Sequence, residues 1–239
     1  MKISEWHLAH WREHGYVLVE DFLSSERLAA AQTQIAAIFP TPQMYASSPD
    51  LYRTDVRGGH MVGLPYLGDE LNLVAVDPEI ISFAEKALGT GCIMLVQSLV
   101  WAKYPGVDDF QQALHCDYMH RTLLYPPVGG PEDVTLILSY NDVDERLGPT
   151  GVVSKKQIRD KMLVPYVRPE DRYPDLYALE RSVTARAGAL LIYDMATFHR
   201  GSAIRSRHAA RYSHHIAYRL CDGRRGAIRR GRIAVPRPR

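Results

Sequence analysis

The four longest runs of β-forming residues in this chain all lie after residue 91: "CIMLVQSLVWAKY", "DVTLILSYNDV", "ALLIYDMATFHRG" and "RYSHHIAYRLC". Each is bounded by Gly, Pro or Asp clusters, the punctuation that ends strands. Ahead of them the texture is mixed. "GYVLVEDFLSSERLAAAQTQIAAIF" opens as a short strand, Tyr16–Val19, after Gly15. Ser24 or Ser25 then caps an Ala-rich helix from Glu26 to Phe39, whose Leu28, Ala31, Ile35 and Ile38 recur at helical spacing. A second helix follows Asp77-Pro78 as "PEIISFAEKALG", with Gly89 as its stop. Helical patterns followed by a strand-rich half predict an α+β fold, its β half a barrel or sandwich. Residues 40–65 read as an irregular loop region that could cover a site, and residues 155–185 as a charged helical or looped insertion between strands.

The chain has 239 residues, enough for one sizeable core and short for two, with no internal repeat or interdomain linker. A single domain over 1–239 is expected. No apolar run approaches the ~20 residues of a membrane span, and the start is no signal peptide. Cys92, Cys116 and Cys221 form no paired framework, which makes a reducing cytoplasm the expected location. The net charge of +2 hides an asymmetry, because the tail from about 219 to 239 carries eight Arg and one Asp. Its Gly and Pro interleaving and lack of aromatics fit a solvated end better than a nucleic-acid contact.

Residues 113–120, "ALHCDYMH", crowd chemistry into a short span. Alternation along a strand sends His115 and Asp117 to one face, and Cys116 and Tyr118 to the other. One His-x-Asp match is about what chance supplies in a chain with ten histidines, and a His hydrogen-bonded to an Asp explains it equally well. The balance moves with "GALLIYDMATFHRGSAIRSRHAARYS", where an apolar strand places His199 just before Gly201, and Arg211 and Ser213 follow two apart on one face. Two His and one carboxylate leave three positions of an octahedral ion open, the facial triad of non-heme Fe(II) oxygenases. Those positions can take a bidentate 2-oxo acid and O₂. The far carboxylate of such an acid needs a planar cation with a hydroxyl beside it, which Arg211 and Ser213 supply.

On these residues the chain resembles the phytanoyl-CoA dioxygenase family of Fe(II)- and 2-oxoglutarate-dependent oxygenases. "HGYVLVEDFLSSERLAA", "LHCD", "YNDVDERLGPTGVV" and "GALLIYDMATFHRGSA" carry the resemblance, which runs over most of the length. It implies a double-stranded β-helix core, a cupin-like jelly roll, with flanking N-terminal helices. It implies His115, Asp117 and His199 as iron ligands and Arg211 as the 2-oxoglutarate anchor. The reaction implied releases succinate and CO₂ while a small-molecule or natural-product substrate is hydroxylated or otherwise oxidised. Asp117 as a ligand leaves no vacancy for halide, which favours hydroxylation over halogenation. The substrate is free or linked to CoA or a carrier; no nucleic acid or membrane partner is expected. Two departures fall where substrate is expected: Ser154, Lys155 and Lys156 replace a usual Gly-Ser-His stretch, and Arg205-Ser206 stand where an Asn is usual.

Other residues compete for roles. Gln97 and Thr135 on flanking strands are candidate co-substrate contacts, with a satisfied strand ladder as the plainer alternative. Arg205 and Arg207 are alternative anchors. Tyr118, His120, Trp101 and His60 are candidate pocket walls or core. His214 and His215 should face opposite ways, and Asp194 either orients a ligand or caps a turn. The competing readings of the whole chain are a non-catalytic scaffold on the same fold, using the Arg-rich tail, and a cupin-like isomerase or hydrolase that uses no oxo acid.

Overall fold

A computed structural model of the chain describes residues 2–52, 60–105, 111–117, 131–158, 167–206 and 208–221. Two antiparallel sheets form the frame. The larger runs in the order β1 (Tyr16–Val19), β9 (Leu190–Asp194), β5 (Asp133–Ser139), β11 (Arg211–Leu220), β3 (Ile93–Lys103) and β2 (His60–Gly63). The smaller runs β7 (Val167–Arg168), β4 (Leu114–His115), β10 (His199–Gly201), β6 (Thr150–Val152) and β8 (Arg181–Val183). This is the expected jelly roll. All four long β-forming runs became strands, and the Ala189 run supplies one to each sheet.

Apart from the start of β3, where Met94 and Val96 are exposed, the larger sheet is covered on both faces, for different reasons. One face presents Val17, Val19, Val100, Ala102, Leu136, Leu138, Leu190, Ile192 and Ile216 to helices α1 (Glu5–His14), α2 (Ser25–Ile38), α5 (Asp69–Ala75) and α6 (Pro78–Leu88). The helices contribute Leu8, Trp11, Ala31, Ile35, Leu71, Val74, Ile80 and Phe83 to this main core. Burying that apolar area is the largest favourable term in the fold. The opposite face, with Ile137, Leu191 and Tyr193, meets Val183 of the smaller sheet and frames the interior of the roll.

Local signals set the helix ends as expected. Ser24 caps α2 by accepting from the Arg27 N–H, and Asp77 caps α6 by accepting from Glu79, with Pro78 in the first turn and Gly89 left-handed at the stop. Gly15 ends α1 at φ 80°, and its carbonyl accepts from the Asp194 N–H at 2.9 Å and the Thr197 hydroxyl at 2.7 Å. A side chain at residue 15 would collide with Lys155 and Thr197, which ties this corner to the β9–β10 turn.

Two sequence expectations are corrected. Residues 40–65 are not an irregular loop: α3 (Pro42–Ser47) is capped by Thr41, α4 (Pro49–Tyr52) follows, and β2 extends the large sheet along β3. Tyr45 is buried there, stacked on Tyr104 with ring centroids 4.2 Å apart. Residues 155–185 are not a mere insertion, since β7 and β8 make both edges of the smaller sheet, with α7 (Pro174–Tyr177) between them. Strands of two or three residues are too short to show alternation. Among the described residues no helix is long and apolar enough to cross a membrane.

Candidate metal and oxo-acid site

His115 and His199 are register partners across β4 and β10. Each uses Nδ1 on a carbonyl two residues earlier: Ala113 at 2.9 Å for His115 and Thr197 at 3.0 Å for His199. A carbonyl only accepts, so both Nδ1 atoms carry a proton, and in the neutral ring it is Nε2 that keeps the lone pair. Asp117 lies just past β4, held by its N–H on the Met195 carbonyl at 3.0 Å. Its carboxylate stands 3.9 Å from His115 Nε2 and 3.5 Å from His199 Nε2. These distances exceed a hydrogen bond, which removes the reading of a His simply bonded to its Asp. One ligand atom from each of the three lies within 4.8 Å of the others, the spacing of a set that can close on one ion. Burial, then the neighbouring His199, pulls the His115 pKa down, favouring the neutral form a metal ligand needs. Two imidazoles and a carboxylate suit ferrous iron.

Cys116 faces away. It is buried with Leu114, Val153 and Phe198, donates to the Ala196 carbonyl at 3.4 Å, and burial pushes its thiol pKa far up. Cys116 thus lies apart from His115 and Asp117, as alternation expects, although β4 ends at His115 and a turn delivers Asp117.

Arg211 and Ser213 lie on the interior face of β11, opposite Lys103 and Trp101 of β3. The Arg211 guanidinium is buried, donating from Nη1 to the Gly148 carbonyl at 2.7 Å and from Nη2 to Thr150 Oγ1 at 3.2 Å, while Nε has no partner. Gly148 reaches that position at φ 65°. No carboxylate pairs with Arg211 among the described residues, and burial lowers its pKa to about 10. A buried cation without a counter-ion is costly and fits a site that receives an anion. Ser213 Oγ lies 3.0 Å from His215 Nε2. The residues present thus fit both iron and a 2-oxo dicarboxylate.

Gln97 and Thr135 share this face, both opposite Ala217. Six residues of strand separate Ala217 from Arg211, about 20 Å by strand rise, which places the two away from the guanidinium's end of the strand. Thr135 instead pairs with Tyr193, whose ring lies 4.5 Å from that of His199 and whose hydroxyl is 3.4 Å from Asp117 Oδ2. Sequence reasoning missed Tyr193 because it looks like one more apolar strand residue, and its register opposite Thr135 emerges only in the fold.

The remaining candidates sort by face. His214 turns to the helices, with Nε2 near Ser98 Oγ (2.7 Å) and Tyr66 OH (3.1 Å) and Nδ1 near Tyr140 OH (2.9 Å), while His215 faces the interior. Asp194 caps its turn on the Ala196 N–H and pairs with Lys155 at 2.7 Å. Ser154 contacts His14 and Lys156 pairs with Glu13, so the Ser154–Lys156 departure packs against α1 and the β9 turn. Arg205 is exposed beside Arg200 and Glu180, lining an outer cleft of about 190 Å³. Tyr118, His120, Arg207, the His60 side chain and the tail from 222 lie outside the described residues.

An antiparallel jelly roll with two histidines and an aspartate converging between its sheets defines the class of cupin-like oxygenases. Residues 11–212 match the family described as phytanoyl-CoA dioxygenase (PhyH), and the chain belongs to that family. It is a non-heme Fe(II)- and 2-oxoglutarate-dependent oxidoreductase. The fold is similar to that of the non-heme alpha ketoglutarate dependent carbocyclase SnoK from nogalamycin biosynthesis, with TM-score 0.68 and 20% identity over 95% of this chain and 90% of that one. The epimerase SnoN, solved with Fe3+, alpha ketoglutarate and nogalamycin RO, gives TM-score 0.64 and 19% identity over 90% and 83%. HygX from Streptomyces hygroscopicus, solved with nickel and 2-oxoglutarate, gives 0.66 and 11% over 92% and 88%. No curated protein matches the sequence significantly.

Proposed function

We propose that His115, Asp117 and His199 hold the ferrous iron, that Arg211 and Ser213 take the far carboxylate of 2-oxoglutarate, and that the substrate is a natural-product-like small molecule. The observation that carries this reading is the matched pair of Nδ1–carbonyl bonds, which leaves two neutral Nε2 atoms and one carboxylate converging. Iron, 2-oxoglutarate and O₂, when bound, supply an oxidative decarboxylation to succinate and CO₂ that drives hydrogen abstraction from substrate.

The chain's own groups bind and orient. Ala113 and Thr197 fix the two imidazole tautomers through their carbonyls. Arg211, held rigid by Gly148 and Thr150, sets where the far end of the oxo acid stops. The apolar wall of Ile137, Leu191 and Tyr193 limits water in the interior. The natural-product chemistry of the three structural neighbours supports the substrate class, and nothing in the site requires a CoA thioester. The test is anaerobic titration with Fe(II) and 2-oxoglutarate, followed by the visible charge-transfer band of a chelated oxo acid. The band should appear in the wild type and vanish in His199→Ala; a folded, iron-loaded protein without it would overturn the reading.

A further inference from the structure

Two buried donors without a hydrogen-bond partner among the described residues, Trp101 Nε1 and Arg211 Nε, lie on the same interior face of adjoining strands. Trp101 stands opposite Ser213 and Arg211 opposite Lys103, two residues apart in register, about 7 Å by strand rise. The Trp101 ring centroid is 5.2 Å from that of His215, the same imidazole that meets Ser213 Oγ. An indole N–H can only donate, so no local rearrangement turns it into an acceptor for its neighbours. Buried N–H groups left without acceptors are unfavourable and uncommon, and two of them beside one hydroxyl mark a place where an acceptor is missing. Trp11 Nε1 is also without a partner, but it sits in the helix-side core against Phe83, away from this face.

We infer that the Trp101 indole N–H is a further donor to the far carboxylate of the oxo acid, completing with Arg211 and Ser213 a pocket for a second carboxylate. The inference rests on the anchor reading of Arg211 and Ser213. A carboxylate has two oxygens and about four lone-pair sites, enough for an indole N–H, a hydroxyl and a guanidinium edge together. Arg211 already uses one N–H on Gly148 and one on Thr150, which leaves its Nε for the incoming anion. The arrangement selects 2-oxo acids that carry a second carboxylate. A 2-oxo acid ending in a methyl group would leave the Trp101 indole N–H and Arg211 Nε unsatisfied.

The test uses the full chain loaded with Zn(II), which is inert to O₂. The chain holds three tryptophans, so ¹⁵N-labelled protein shows three indole N–H signals, assigned by Trp6→Phe and Trp101→Phe. Adding 2-oxoglutarate should move the Trp101 signal downfield and leave that of Trp6, which is largely exposed, in place. Trp101→Phe keeps an aromatic ring and removes the donor. It should weaken 2-oxoglutarate binding by about tenfold or more by calorimetry, without changing Zn(II) affinity or the binding of 2-oxobutyrate. If Arg211→Ala weakens 2-oxoglutarate binding while Trp101→Phe does not, and the indole signal stays put, the inference is overturned. If Arg211→Ala has no effect either, it is the anchor reading that fails.

Discussion

His115 and His199 face one another across β4 and β10, and each gives its Nδ1 proton to the carbonyl two residues before it. The same small device, used twice, points both Nε2 lone pairs at Asp117. His115→Ala or His199→Ala removes one of three ligands and should lower divalent-metal affinity by at least a hundredfold. Titration with Mn(II), read from the free-ion signal in electron paramagnetic resonance, checks this. Tight residual binding in either variant would rule out the assigned triad.

Arg211 carries its charge in a buried place with only neutral partners among the described residues. Its removal should leave the metal set intact and damage co-substrate binding. For Arg211→Ala we expect the 2-oxoglutarate requirement to rise by a hundredfold or more, with metal affinity within about twofold of wild type. Ligand binding raises the melting temperature in proportion to affinity, so the thermal shift given by 2-oxoglutarate should disappear in this variant. A preserved shift would place the anchor elsewhere.

How much was legible follows from what each signal needs. Long strands such as Ile93–Lys103 and Arg211–Leu220 show themselves through many β-forming residues, and Ser24, Asp77 and Gly89 through cap chemistry. β6, β7 and β8 of the smaller sheet were invisible because two or three residues cannot display a period, whereas β4 and β10 were reached through the runs that hold His115 and His199. Spacing grouped His115 with Asp117, but only the fold brings Tyr193 beside them, since that contact spans 76 residues. The Ser154–Lys156 stretch shows the same dependence on the fold. Its partners are far away in sequence, with Lys156 on Glu13 of α1 and Lys155 on the buried Asp194 of the β9 turn.

His214 is fully enclosed, with both ring nitrogens within hydrogen-bond distance of Ser98, Tyr66 and Tyr140, and burial pulls its pKa down to about 3. In the unfolded chain the ring titrates near pH ~6.5. Between those values only the unfolded chain takes up the proton. The stability that neutral His214 contributes is therefore whole above pH ~6.5 and drains as pH falls, by about 1.4 kcal/mol per pH unit. At pH 5 the loss should be about 2 kcal/mol. Urea unfolding at pH 7.5 and 5 for wild type and His214→Asn checks this: the variant, less stable at both, should lose less on acidification. Parallel losses in the two proteins would assign the pH sensitivity to other groups.

Tyr193 links the two halves of the site. Its ring lies against His199, its hydroxyl is 3.4 Å from Asp117 Oδ2, and it is close enough to favour the charged form of Arg211. At that separation the hydroxyl makes a long, weak hydrogen bond to the carboxylate. It helps orient Asp117 through one of its two oxygens. Tyr193→Phe preserves the ring packing with Ile137 and Leu191 and removes the hydroxyl's contact with Asp117. We expect metal affinity to fall by about threefold to tenfold, the scale of one modest hydrogen bond to a charged group, with the melting temperature of the metal-free protein nearly unchanged. A purely structural tyrosine would give the reverse pattern, a lowered melting temperature with metal affinity intact. Calorimetric titration with Mn(II) alongside thermal unfolding of the metal-free protein separates the two outcomes.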